Sequence, residues 1–245
     1  MFPVLFRFGP LNVYSYGLML GLGFLAATLV AARDAPRLGV KPEAIIDLSF
    51  YSLIAGVIGS RLLFVLFDWR TYLANPRQIL VVYEGGLSLH GGLAAGVLMG
   101  IWFTRKYKIS FFTLADLVSP AIALAIAIAR IGCFLNGCCY GLPTDLPWAV
   151  ATRYVAGLRH PTQLYEMLLS FGLFVFLWLR RTRTAYPGQQ FVYFLIGYSV
   201  VRIIVESFRE VWRLTPFLSV AQLGSLFIIG IALAISVYAK GRAGQ

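Results

Sequence analysis

The stretch FFTLADLVSPAIALAIAIARIGC, residues 111–133, decides the fold class. It is almost entirely apolar, and about 20 such residues are long enough to cross the hydrocarbon core of a bilayer as a helix. Six other stretches of similar length and composition can be drawn along the chain. We therefore predict an all-α polytopic membrane protein with about seven transmembrane helices. The other six spans run at about 13–32, 44–67, 87–104, 162–179, 189–208 and 218–239.

The overall composition agrees with this prediction. The chain has 245 residues, of which 59% are apolar or aromatic and 13% are charged, and its mean hydropathy is +0.78. A soluble domain would be about 25% charged. These values exclude an ordinary cytosolic enzyme, a disordered protein and a small disulfide scaffold. We expect residues 1–245 to form a single transmembrane domain with a longer extracytoplasmic loop at about 134–161.

The distribution of Lys and Arg predicts the orientation. One set of alternate connections carries eleven of them in dense clusters, whereas the opposite set carries seven over longer segments. Basic clusters close to membrane spans favour the cytoplasmic side, so we expect the N-terminus outside and the C-terminus inside. The net charge of +11 is then explained mostly by topology and by contact with anionic lipids. We predict no nucleic-acid partner.

Arg61, Arg130, Arg202 and His90 fall inside the predicted spans at a similar depth, toward the outer leaflet. A charged side chain inside a membrane is expensive and is a functional candidate by default. A lone Arg near a span end can also snorkel to the interface, and Glu206 could neutralise Arg202 locally. A group of such cations fits an anionic partner, and the guanidinium fork suits a phosphate. We predict a lipid-phosphate site.

Two glycine-rich segments accompany these cations. His90 lies among four glycines in 85–92, where a neutral imidazole could take a proton from a nucleophile; tight helix packing explains the glycines but not the histidine. In 130–141, the side chains of Arg130, Asn136 and Tyr140 all supply hydrogen-bond donors. That segment could be a re-entrant wall of a site or an ordinary capped helix end.

The three cysteines are Cys133, Cys138 and Cys139. Their C-x4-C-C spacing is not a recognised zinc motif, and only two histidines could complete a site. Small packing thiols, a structural disulfide with one thiol left over, a metal site and a catalytic cysteine remain open. We expect no metal and no cofactor.

Five ordered motifs then carry a resemblance that covers nearly the whole chain. They are FGP at 8–10 with YGLM at 16–19, GLSLHGG at 86–92, RIGCFLNGCCYG at 130–141, RHPTQLYE at 159–166, and GYSVVRIIVESFR at 197–209. Together they resemble the bacterial prolipoprotein diacylglyceryl transferases. The N-out, C-in topology which that family implies agrees with the charge count.

The resemblance implies transfer of the diacylglyceryl group of phosphatidylglycerol to the lipobox cysteine thiol of a prolipoprotein. A thioether forms and glycerol phosphate leaves. The implied place is the bacterial cytoplasmic (inner) membrane, with the active site toward the outer leaflet and with prolipoprotein signal peptides and membrane lipids as partners. A lipid or anion transporter and a thiol–disulfide membrane protein are the alternatives.

The resemblance also implies roles for residues. The expected catalytic residues are His90, Arg130 and Arg202. The family pattern has Asn where Cys133 stands and Glu where Cys138 stands, which puts one polar contact in doubt. The expected substrate-binding residues are Tyr16, Arg61, Asn136, Tyr140, Gly141, Tyr198 and Glu206.

Overall fold

A computed structural model describes residues 1–8, 11–81, 85–212, 214–215 and 218–243. Two residues of the quoted FGP motif, Gly9 and Pro10, lie outside the described residues. The described part is mainly helical. In chain order its elements are β1 (Val4–Phe8), β2 (Leu11–Tyr14), α1 (Ser15–Asp34), α2 (Pro42–Phe67), α3 (Trp69–Ala74), α4 (Leu89–Tyr107), α5 (Phe111–Asn136), β3 (Val150–Ala151), β4 (Leu158–Arg159), α6 (Thr162–Arg180), α7 (Gln189–Ser207) and α8 (Val220–Ala243).

The predicted fold class is confirmed. Each of the seven predicted spans coincides with a long helix, and the strands form only two short antiparallel pairs, β1 with β2 and β3 with β4, among the described residues. Six helices of the described part are long and apolar enough to cross a membrane, and α4 is not among them. Four glycines, His90 and two terminal basic residues make α4 less apolar. The count of seven and the orientation stay predictions.

The exposed surface is also that of a membrane protein. Large apolar side chains on the helices lie open, and Leu66, Phe227 and Val237 are 65%, 71% and 74% exposed. So many exposed large apolar side chains are unusual on a soluble monomer, whereas lipid tails can cover them.

The end of α5 differs from the predicted one. The helix continues past Cys133 to Asn136 and ends where Gly137 takes a left-handed φ of 84°. The backbone N–H groups of Gly137 and Cys138 both donate to the carbonyl of Cys133, which satisfies an end carbonyl of the helix. A capped helix end thus places Cys133 inside the last turn and Cys138 just beyond it.

The chain divides into two compact units. The first comprises Met1–Ala31 and Ala115–Gln245, and the second comprises Ala32–Leu114. In the first unit, Phe194 of α7 packs with Leu177 of α6 in a buried apolar cluster. In the second unit, α2 and α4 approach closely at Gly59 and Gly91, where an added Cβ would overlap the opposite backbone. The single transmembrane domain stays a prediction.

Candidate active site

A buried carboxylate joins two arginines in the first unit. Glu166, in the second turn of α6, is only 2% exposed. Its Oε1 accepts a hydrogen bond from Nη2 of Arg130 on α5 at 2.8 Å, and its Oε2 accepts one from Nη1 of Arg202 on α7 at 3.3 Å. Because charge-assisted hydrogen bonds are strong and directional, Glu166 fixes the two guanidinium groups on either side of itself.

Tyr198 completes the coordination of that carboxylate. It lies one turn before Arg202 on α7, and its hydroxyl donates to Oε1 of Glu166 at 3.1 Å. Its ring stacks on Phe194 with centroids 6.0 Å apart and an interplanar angle of 6°. The contact that the structure gives the Tyr198 hydroxyl is to Glu166, and the predicted substrate-binding role of Tyr198 stays a prediction.

A second carboxylate extends the pattern along α7. Oε2 of Glu206 accepts from Nη2 of Arg202 at 2.8 Å and lies 3.6 Å from Nη1 of Arg209. Its Oε1 accepts from the hydroxyl of Ser219 at 3.2 Å. The i,i+4 neutralisation of Arg202 by Glu206 is thus present, but as part of a larger arrangement.

These five side chains form a row of alternating charge, which we call the charge row: Arg130, Glu166, Arg202, Glu206 and Arg209. Three cations share two anions, so the row has a net charge of +1. The carboxylates are 2% and 5% exposed, whereas the arginine side chains are 18–20% exposed. The more exposed groups of the charge row are therefore the positively charged ones, and these are the groups that a ligand would meet.

Gly141 attaches the loop after α5 to the end of α7. Its N–H donates to the carbonyl of His160, and the next N–H, of Leu142, donates to the carbonyl of Phe208 at 2.8 Å. A Cβ at Gly141 would lie 2.5 Å from the Phe208 carbonyl oxygen and 2.8 Å from Cγ2 of Thr162. Only glycine allows this approach, so Gly141 fixes the position of the loop against the end of α7, and its predicted substrate-binding role stays a prediction.

The remaining predicted residues of the first unit lie around the same helix end. Asn136 is the half-buried last residue of α5. The ring of Tyr140 lies under the guanidinium of Arg159, 5.5 Å from its centroid. Tyr16 is the second residue of α1 and is 44% exposed, and its backbone lies against Gly132 of α5. Their binding roles stay predictions.

The three cysteines come together beside Arg130. Their sulfur atoms all lie within 4.8 Å of one another, and all three thiols are free. We call Cys133, Cys138 and Cys139 the thiol cluster. Hydrogen bonds with Cys133 and Cys138 lower the pKa of the Cys139 thiol, and the guanidinium groups of Arg209 and Arg130 act in the same direction.

Arg61 and His90 belong to the second unit. Arg61 is 7% exposed and donates to the backbone carbonyls of Gln78, Ile79, Gly85 and Gly86 at 2.5–3.0 Å. These bonds hold the chain segment that leads into α4. His90 lies exposed in the first turn of α4. A substrate contact for Arg61 and a catalytic role for His90 stay predictions.

Glu166 is a site residue that the sequence pattern did not single out. It is one of only ten acidic residues, and it lies inside a 19-residue apolar helix. An acidic residue inside a span is as costly as a basic one, so this placement was the available signal.

Comparison with known proteins gives one consistent result. A family model described as prolipoprotein diacylglyceryl transferase matches residues 3–238. Three similar curated proteins, all named phosphatidylglycerol–prolipoprotein diacylglyceryl transferase, come from Geobacter sulfurreducens, Clostridioides difficile and Legionella pneumophila (strain Corby). Their identities are 39%, 36% and 38%, over 96%, 94% and 85% of this chain and 95%, 93% and 83% of the relative.

Proposed function

Because this chain belongs to the prolipoprotein diacylglyceryl transferase family, we propose that its charge row binds the phosphate of phosphatidylglycerol during transfer. The chain is a multi-pass membrane transferase that moves the diacylglyceryl group of phosphatidylglycerol to a prolipoprotein. The observation that carries the proposal is the buried Glu166, which holds Arg130 and Arg202 together and leaves the row with one positive charge in excess.

A phospholipid phosphodiester supplies the charge that the row needs. Its single negative charge balances the net +1 of three arginines and two glutamates. One donor near the end of the row remains to be satisfied, since Nε of Arg209 is buried and has no hydrogen-bond partner among the described residues. A buried donor without an acceptor is costly, and a phosphate oxygen would satisfy it.

The negative charge on the phosphate grows during the reaction, so the arginines stabilise it more strongly as the reaction proceeds. The thiolate sulfur attacks the glycerol carbon that bears the phosphate, so a C–S bond forms while a C–O bond breaks. The electron pair of the C–O bond leaves with the glycerol phosphate, whose phosphate then carries more negative charge than the diester did. Cations placed at that oxygen stabilise the transition state more than the ground state, which is the requirement for catalysis.

The thiol of the prolipoprotein must lose its proton before this attack, because thiolate is the nucleophile. We assign that proton to His90, which is exposed at the start of α4 and has an imidazole suited to the transfer. Arg61 contributes by holding the segment before α4 through its four carbonyl contacts.

We place the protein in the bacterial cytoplasmic (inner) membrane with its site toward the outer leaflet. The support is the distribution of Lys and Arg, which favours an external N-terminus. Signal peptides of prolipoproteins would then reach the charge row from the external side, within the headgroup layer.

The test uses the purified full chain in phosphatidylglycerol vesicles with a lipobox peptide, and it measures the thioether product. Arg130→Ala and Arg202→Ala should each lower turnover by about 100- to 1,000-fold, the range for one transition-state donor. Arg180→Ala is the matched control, because it removes the same charge at the opposite end of α6. Full activity in either of the first two variants would remove the phosphate-binding role.

A further inference from the structure

The thiol cluster has the dimensions of a metal site. Thiolate sulfur lies about 2.3 Å from a bound zinc ion, so three such sulfurs lie roughly 4.0 Å apart in a plane with the metal and roughly 3.8 Å apart in a tetrahedral arrangement. The sulfurs of Cys133, Cys138 and Cys139 already lie within 4.8 Å of one another. Shifts of a few tenths of an ångström would close the cluster around one ion.

The backbone holds the three residues in this arrangement. Gly137 and Cys139 both have left-handed φ angles, 84° and 63°, and these turn the chain back over the end of α5. Cys139 is not a glycine, so its conformation needs support from elsewhere. That support comes from α6, where Gln163 and Thr162 donate to the carbonyls of Cys138 and Cys139 at 2.5 and 2.7 Å.

Neither apolar packing nor a disulfide accounts for the whole of this geometry. Packing thiols need apolar neighbours, yet Cys133 accepts a hydrogen bond from Nη1 of Arg130 at 3.7 Å. A disulfide joins only two sulfurs, so it does not explain why the third sulfur also lies close to them. Three converging sulfurs next to a cation match the requirement of a soft metal ion for thiolate ligands.

We propose that Cys133, Cys138 and Cys139 bind one soft d10 metal ion, of the class that includes Cu(I) and Zn(II), through three thiolate sulfurs. The three thiols release their protons to solvent as the ion binds. The loaded cluster has a net charge of −2 with a monovalent ion and −1 with a divalent one.

Occupancy of the cluster should also lower transferase activity, a consequence that rests on the proposed function. The loaded cluster places negative charge beside Arg130 and engages the Cys133 sulfur to which Arg130 donates. That charge competes with the lipid phosphate for the same guanidinium. The metal would therefore act as an inhibitor.

The experiment uses the reduced full chain in nanodiscs, with Cd²⁺ as the probe because its bonds to thiolate absorb in the ultraviolet. Titration should give one ion per chain. Cys138→Ser should lower the affinity on the order of 100-fold or more, since even an outer-shell change costs 10–100-fold. Cys139→Asn should do the same and keeps a residue that tolerates the left-handed conformation.

Three results would overturn the metal site. They are the same absorption in a variant with all three cysteines changed to serine, full affinity in any single variant, and fewer than three titratable thiols in the denatured, unreduced protein. Metal-free Cys138→Ser should retain transferase activity and lose its sensitivity to Cd²⁺. Binding without inhibition would refute only the inhibitory consequence, and an inactive metal-free wild type would refute the proposed function instead.

Discussion

Replacement of Glu166 by glutamine removes the anion at the centre of the charge row without changing its shape. The side chain is 2% exposed and accepts from Arg130 at 2.8 Å and from Arg202 at 3.3 Å. Glutamine keeps one acceptor oxygen for one arginine. It presents an NH2 group to the other arginine, and because both groups are donors they cannot form a hydrogen bond. One arginine therefore loses its anchor while the other keeps a weaker one.

The size of the effect follows from those contacts. A hydrogen bond to a charged group contributes about 1.5–3 kcal/mol, and 1.36 kcal/mol is a tenfold change in rate. Loss of one such bond, which orients a phosphate-binding arginine, should lower kcat by roughly 10- to 150-fold. The KM for phosphatidylglycerol should not rise, because removal of Glu166 also removes a competitor for the two cations.

The assay varies the mole fraction of phosphatidylglycerol in mixed micelles, so that kcat and KM are obtained separately. Glu210→Gln is the control: Glu210 pairs with Arg159 at 2.6 Å, but it is 65% exposed, and exposed pairs contribute about 0–1 kcal/mol. Its kcat should stay within about fivefold of wild type. A raised KM with unchanged kcat in Glu166→Gln, or wild-type values for both, would refute the reasoning.

Four further changes test other parts of the molecule. Arg130→Lys keeps the charge but loses the guanidinium fork, so kcat/KM should fall at least about 100-fold in the vesicle assay. Gly141→Ala places a Cβ 2.5 Å from a backbone oxygen and should lower both the activity and the thermal unfolding midpoint. Gly172→Ala is the control, because nothing lies within 4 Å of the added Cβ, and it should change neither quantity. Equal effects of the two substitutions would refute the steric explanation. Arg61→Lys leaves backbone carbonyls without donors and should lower the thermal unfolding midpoint. His90→Gln should remove the acidic limb of the pH–rate profile, and an identical limb in both proteins would argue against a base.

The helices were predictable because a single physical requirement acts along the whole chain. A span must satisfy its backbone internally and present apolar side chains to lipid, so runs such as 111–133 identify helices directly. The pair of Arg202 with Glu206 was predictable from helix geometry, since residues four apart on one helix are neighbours.

The bridge through Glu166 could not be derived in this way. It depends on how α5, α6 and α7 pack, and Arg130 and Glu166 lie 36 positions apart. The thiol cluster was hidden by a different cause. Its C-x4-C-C spacing matches no metal motif, and the left-handed turns at Gly137 and Cys139 that bring the sulfurs together are not encoded by spacing.

The ion pair between Arg130 and Glu166 has a consequence for how the protein is made. The ribosome completes α5 with its cation before it synthesises the anion on α6, and 36 residues at about 5–20 residues per second take roughly 2–7 s. For Arg202 this delay is absent, because its partner Glu206 is synthesised one turn later on the same helix. We therefore expect α5 and α6 to insert together as a hairpin, with α5 retained at the translocon until α6 has been synthesised.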